Sequence, residues 1–151
     1  MHGWPTMTLR PAALLALAFA LLVGAAPGQA ATTTKLKLPA ERTSSTGNFF
    51  TLEAYDPPTS SHPVANFDMK VCTSAHTPKD TAIDPAFFTL RLSQGAVESE
   101  SVSSAKSPPL TFQPLAAQHC AQGWLGFHVP KGDSVAELVY TYKGSITWAV
   151  G

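Results

Sequence analysis

An all-β fold, a sandwich of two antiparallel sheets built from seven to nine short strands, is what this sequence predicts. Three observations carry the prediction. Apolar and polar residues alternate over short runs, each bounded by Gly, Pro, Asn, Asp or Ser. No stretch beyond the N-terminal apolar run keeps a 3.6-residue apolar period for three turns, so no amphipathic helix is expected. Thirteen prolines would interrupt long helices in any case. Packing two sheets face to face is the simplest way to bury such alternating faces.

The first 30 residues have the pattern of a cleavable secretion signal. Met1 to Arg10 carries a single charge, and Pro11 to Ala26 is almost entirely Ala, Leu, Val and Phe. That apolar run is shorter than the roughly 18 residues needed to cross a bilayer. Gly28-Gln29-Ala30 places small residues where a signal peptidase reads, so cleavage is expected after Ala30, with Ala26 the second choice. No cysteine lies near the cut, which argues against a lipoprotein anchor, and no twin-arginine pair precedes the apolar run, so the general secretory route is expected. The expected product is therefore secreted, free outside the cell or held at the wall, with no integral membrane span after cleavage. Its 121 residues fit one domain: a flexible tether over 31–46 and a folded domain over 47–151. Nine basic and ten acidic residues remain, so no charge excess invites nucleic acid or an anionic membrane.

Along the mature chain, Leu36 and Leu38 alternate with Lys35 and Lys37, a candidate edge strand that Pro39 ends. Phe50, Leu52 and Ala54 alternate with Thr51, Glu53 and Tyr55 up to Asp56-Pro57-Pro58. Ala65, Phe67, Met69 and Val71 alternate with Asn66, Asp68 and Lys70, a strand with one buried face. Asp84-Pro85-Ala86 reads as a single turn leading into Phe88, Leu90 and Leu92, with a reversal at Gln94-Gly95 and a weak return strand after Ala96. Leu110 to Phe112 is a short apolar stretch stopped by Pro114. The densest pattern follows: Trp124 to Val129, a turn at Pro130-Lys131-Gly132-Asp133, Val135 to Tyr142, a turn at Lys143-Gly144, and Ile146 to Val150.

Cys72 and Cys120 are the only cysteines, and outside the cytoplasm such an isolated pair predicts a disulfide. It would close a loop of about 49 residues, worth roughly 4 kcal/mol by loop-closure entropy. The bridge is expected to pin the two facing sheets. Alternation places Cys72 with Asp68 and Lys70, away from the core. Either a bulge near Val71 shifts the register, or the 115–122 segment meets Cys72 on the outside.

Several segments stand in a recognisable order: Asn66-Phe67-Asp68-Met69-Lys70-Val71-Cys72, then Pro85 to Leu90, Gln94-Gly95, and Cys120-Ala121-Gln122-Gly123-Trp124-Leu125-Gly126-Phe127-His128-Val129-Pro130-Lys131-Gly132. The chain closes on Val139 to Tyr142 and Thr147 to Val150. Over Gly47 to Gly151 this resembles the small secreted bacterial immunoglobulin-like domains of a domain-of-unknown-function family that includes the immunoprotective extracellular antigen. The resemblance implies an exported immunoglobulin-like sandwich, in some members with a paired-cysteine bridge, and supplies no catalytic residue. The tether and the Glu98 to Pro109 region match the pattern poorly.

Motifs that suggest chemistry are incomplete. Ser103-Ser104-Ala105-Lys106 fits S-x-x-K, but its companion Ser-Asp-Asn and Lys-Thr-Gly elements are missing. Gly132-Asp133-Ser134 has no downstream histidine to act as base and reads as a hairpin turn. His62, His76, His119 and His128 show no metal-ligand spacing within one element. Trp148 alternates with Ile146 and Val150 and is expected in the core, whereas Trp124 shares its face with only Gly126 and His128. Trp124, His128 and His119 are thus the candidate binding surface, with no catalytic or metal-binding residue assigned and no cofactor implied. The expected function is non-enzymatic recognition of a protein or glycan at the cell surface. Two alternatives are carriage of a small ligand, copper or zinc through His119 and His128, and an uncharacterised hydrolase.

Overall fold

The computed structural model describes residues 36–78, 81–99 and 106–151. The expected signal and the first three residues of the S-x-x-K stretch lie outside the described residues. Among the described residues ten strands form: β1 Ala40–Thr43, β2 Phe49–Asp56, β3 Val64–Cys72, β4 Ala82–Ile83, β5 Phe88–Leu92, β6 Val97–Ser99, β7 Gln113–Pro114, β8 Cys120–His128, β9 Val135–Tyr140 and β10 Ile146–Ala149. They pair antiparallel into two four-stranded sheets, β1-β2-β3-β8 and β10-β9-β5-β6, and a small β4-β7 pair. The chain is an all-β antiparallel sandwich, as expected. The count exceeds the expected seven to nine because β4 and β7 have two residues each, too few to show any alternation.

The alternation of β3 sets the first sheet. Ala65, Phe67, Met69 and Val71 point inward and face Phe127, Leu125, Gly123 and Ala121 of β8, in a register unbroken from Val64 to Cys72. On the facing sheet Phe88, Leu90, Leu92, Leu138, Tyr140 and Trp148 complete one continuous core. Phe50 of β2 reaches across to Tyr140, ring centroids 4.4 Å apart, and to Phe88 at 6.4 Å. At the opposite sheet edges the Trp148 indole N–H donates to the Ala40 carbonyl at 3.0 Å, satisfying a buried donor and joining β10 to β1.

Gly123 serves a different purpose. A Cβ here would lie 2.5 Å from the Leu110 nitrogen and 2.6 Å from the Pro109 carbonyl carbon. The bare backbone lets the 108–110 segment run against the edge of β8. Trp124 N–H donates to Pro108 O, and Leu110 N–H to Trp124 O, both at 2.9 Å. Leu110 is thereby delivered into the core, whereas Phe112 remains exposed. The 110–112 stretch is accordingly a core plug followed by a loop, not a strand.

Other expectations change. The expected tether contains β1, whose residues pair with Phe49 to Leu52; the edge strand thus follows Pro39 instead of preceding it, and Leu36 and Leu38 pack against the core. Between Leu52 and Ala54 the β2-β3 register slips, leaving Glu53 as a bulge. Beyond it Ala54 pairs with the outer Asp68 and Tyr55 with the inner Phe67, so the faces expected for Ala54 and Tyr55 are exchanged. Tyr55 stacks on Phe67 at 4.9 Å.

Cys72 stays on the outer face, with no bulge at Val71, and bonds Cys120, its register partner at the start of β8. The bridge therefore staples two neighbouring strands of one sheet, and the expected pin between sheets is absent from it. Core packing and the Trp148–Ala40 bond join the sheets instead.

Two measurements check these assignments. Gly123→Ala forces two backbones apart and is expected to cost about 2 kcal/mol or more, read as a lower urea midpoint. Cys72→Ser is expected to lower the melting temperature by about 10 °C or more, with reductant then causing no further drop; a wild-type melt indifferent to reductant would contradict it.

Candidate functional site

The outer face of β8 distributes the three candidate residues along its length. His119 precedes the strand, Trp124 lies at its middle and His128 at its end. At about 3.3 Å per residue the two histidines stand roughly 30 Å apart, at opposite ends of the sandwich, and do not share a ligand sphere. His119 is exposed, its Nδ1 2.9 Å from Ala117 O. Among the described residues no group of three His, Cys, Asp or Glu side chains gathers around a common point.

Trp124 is half-buried. The Lys106 ammonium sits 4.8 Å from its ring centroid and also pairs with Asp56 at 2.9 Å. Its neighbour Asp68 accepts from Gln122 Nε2 at 2.9 Å. The indole face that the sequence offers as an open anchor is thus covered by a cation from the 106–110 segment. Nothing in the alternation of β8 reports that cover, because it arrives from a segment that does not alternate.

His128 is exposed and borders a cleft of about 550 Å³ at the end of the sandwich where β2 and β8 finish. Its walls are the 57–63 and 129–134 connections, including Pro58, Pro63, Pro130 and Lys131. Thr59 and His62 exchange backbone hydrogen bonds of 2.9 and 3.1 Å, closing the first connection into a tight turn. Val129 N–H donates to Pro63 O at 2.8 Å and holds the two connections together. In the second, Gly132 takes φ of +91°, confirming a turn at the Gly132-Asp133-Ser134 block. The Asp133 carboxylate accepts from Ser93 Oγ at 2.6 Å and from the Ser134 N–H at 2.8 Å. The Ser93 hydroxyl first, and the backbone N–H groups of Ser134, Gln94 and Ser93, hold its pKa below the usual range against a smaller opposing effect of burial. Asp133 is therefore committed as an ionised clamp on the β5-β6 turn. A second cleft of about 330 Å³ lies beyond the same wall, sharing Thr59 and Pro63 and bordered by His62, Asn66 and Lys106. His62 and His128, independent by their spacing in the sequence, border these two adjoining clefts because β3 pairs Val64 with His128.

No family model matches the chain, and no curated protein matches it. Among solved structures it is similar to the yjhA protein from Bacillus subtilis, with a TM-score of 0.56 and 13% sequence identity over 74% of this chain and 96% of that one. At that identity the likeness concerns the fold alone. Among the described residues no helix is long and apolar enough to cross a membrane.

Two phenols offer a spectroscopic check on the packing. Burial first, then the Asp56 charge, pushes Tyr55 up to about 12; burial first, then Tyr142 and Asp84, does the same for Tyr140. Unfolded tyrosine ionises near 10, so the stability these neutral phenols contribute is complete below that pH and is lost as pH rises through about 12. A tyrosinate absorbance titration should show two phenols ionising late and together with alkaline unfolding. In the Tyr55→Phe variant one of those late transitions should disappear.

Proposed function

We propose that this chain is a secreted or cell-envelope immunoglobulin-like module without catalytic activity of its own, which recognises a protein or glycan partner outside the membrane. The observation that carries this reading is the cleft beside His128. Its proline-rich walls are cross-tied by Val129–Pro63 and Asp133–Ser93 bonds, so the surface is largely formed before a partner arrives. Preformed walls reduce the ordering entropy lost on binding. His128 and Lys131 at the mouth supply polar contacts, and the prolines supply apolar area. The signal pattern and the resemblance to secreted immunoglobulin-like domains support placing that encounter outside the cell.

The test is retention of partners from envelope protein fractions and from a glycan array by the purified protein. His128→Ala and Lys131→Ala should each weaken retention while leaving the melting temperature within a few degrees. Unchanged retention in both variants would remove the cleft from the reading. Hydrolytic turnover abolished by one Ser or His substitution would overturn the non-enzymatic assignment.

A further inference from the structure

A third cleft, of about 310 Å³, lies at the opposite end of the sandwich, where β2 begins and β9 ends. Its size is at the lower end of the range for small-molecule sites, about 300–1,000 Å³. Asn48 and Tyr140 line it, and only 8% and 5% of their surfaces are exposed. The Asn48 Oδ1 accepts from Thr77 Oγ1 at 2.7 Å; among the described residues its amide nitrogen has no partner, and the Tyr140 hydroxyl has none either. No fully buried side-chain nitrogen or oxygen among the described residues lacks a partner, so these two polar heads open onto the cleft. Thr81 adds a hydroxyl that makes no hydrogen bond among the described residues.

The mouth is aromatic and cationic. Phe87 stacks on Tyr142 at 4.7 Å and 28°, and the Lys143 ammonium sits 5.1 Å from the same ring. Phe87 thus stacks on the Tyr142 ring, and a solvent-exposed lysine that makes no ion pair among the described residues lies against the same ring. Converging amide and hydroxyl groups beside an aromatic platform suit a sugar, whose hydroxyls take the hydrogen bonds and whose C–H face takes the ring. A sugar stacked on Tyr142 displaces the ammonium, which then needs a new anionic partner within reach. We propose that this cleft binds an acidic sugar, a hexuronate or a glycan end bearing one, with Tyr142 as platform, Lys143 as the carboxylate partner, and Asn48, Thr81 and Tyr140 as hydroxyl partners. This site is separate from the His128 cleft and does not depend on the reading given for it.

Titration of the ¹⁵N-labelled protein with sodium D-glucuronate, D-glucose or sodium acetate at equal ionic strength tests it. Glucuronate should give saturable shifts centred on Asn48, Thr81, Tyr142 and Lys143, with at least about fivefold tighter binding than glucose or acetate. Lys143→Gln, a change on an exposed side chain, should reduce glucuronate binding to the glucose level. Tyr142→Leu should weaken both sugars about tenfold, as loss of a stacking platform does. Absence of saturable shifts at these residues overturns the site. Acetate binding as well as glucuronate would make it a carboxylate site for a chain terminus, and glucose binding equally would remove the role of Lys143; either result overturns the acidic-sugar assignment.

Discussion

The ladder between β3 and β8 is the constraint from which the rest of the molecule is laid out. Its register runs unbroken over nine residue pairs, from Val64–His128 to Cys72–Cys120. One face supplies much of the core through Ala65, Phe67, Met69, Leu125 and Phe127, and the other carries the bridge, Trp124 and His128. A one-residue slip would exchange these faces, burying Lys70 and Asp68 and exposing Phe67. The missing side chain at Gly123 belongs to the same ladder. Opposite Met69 it leaves room that Leu110 fills, so the edge of β8 is partly covered by the chain's own 108–110 segment. Covering part of an edge in this way blunts its capacity to pair with another chain.

The two ends of the sandwich differ in how their polar groups are used. At the His128 end the polar groups are spent internally: Asp133 on Ser93 and two backbone amides, Lys106 on Asp56 and the Trp124 ring. What remains for a partner there is shape, set by prolines, with His128 and Lys131 at the rim. At the other end Asn48 and Tyr140 keep polar atoms directed into a cavity. Because those atoms open onto the cleft they are not buried without partners, while the Tyr140 ring itself packs among Phe50, Phe87 and Phe88.

Where side chains alternate, the sequence was readable. The inward sets of β3, β5 and β8 and the burial of Trp148 follow from period-two patterning, and the outward placement of Cys72 is one of the two that alternation leaves open. Where a residue is inserted or a segment runs irregularly, it was not. The bulge at Glu53 has no signature in composition, yet it turns Tyr55 onto Phe67. The cover over Trp124 depends on Lys106, which lies in a region without alternation. The Asn48–Tyr140 cleft joins residues far apart in the chain, and only the sheet order places them together. For the same reason the Cys72–Cys120 pairing was legible, but its place within one sheet was not.

That placement has a mechanical consequence. Cys72 and Cys120 are 48 residues apart, and the covalent link bypasses everything between them, including β4 to β7. A chain drawn taut from its two ends would transmit the load through sulfur, and the enclosed loop would stay slack, shortening the reach by roughly 160 Å at full extension. Nearly a third of the 151-residue chain is thereby sheltered from being pulled straight.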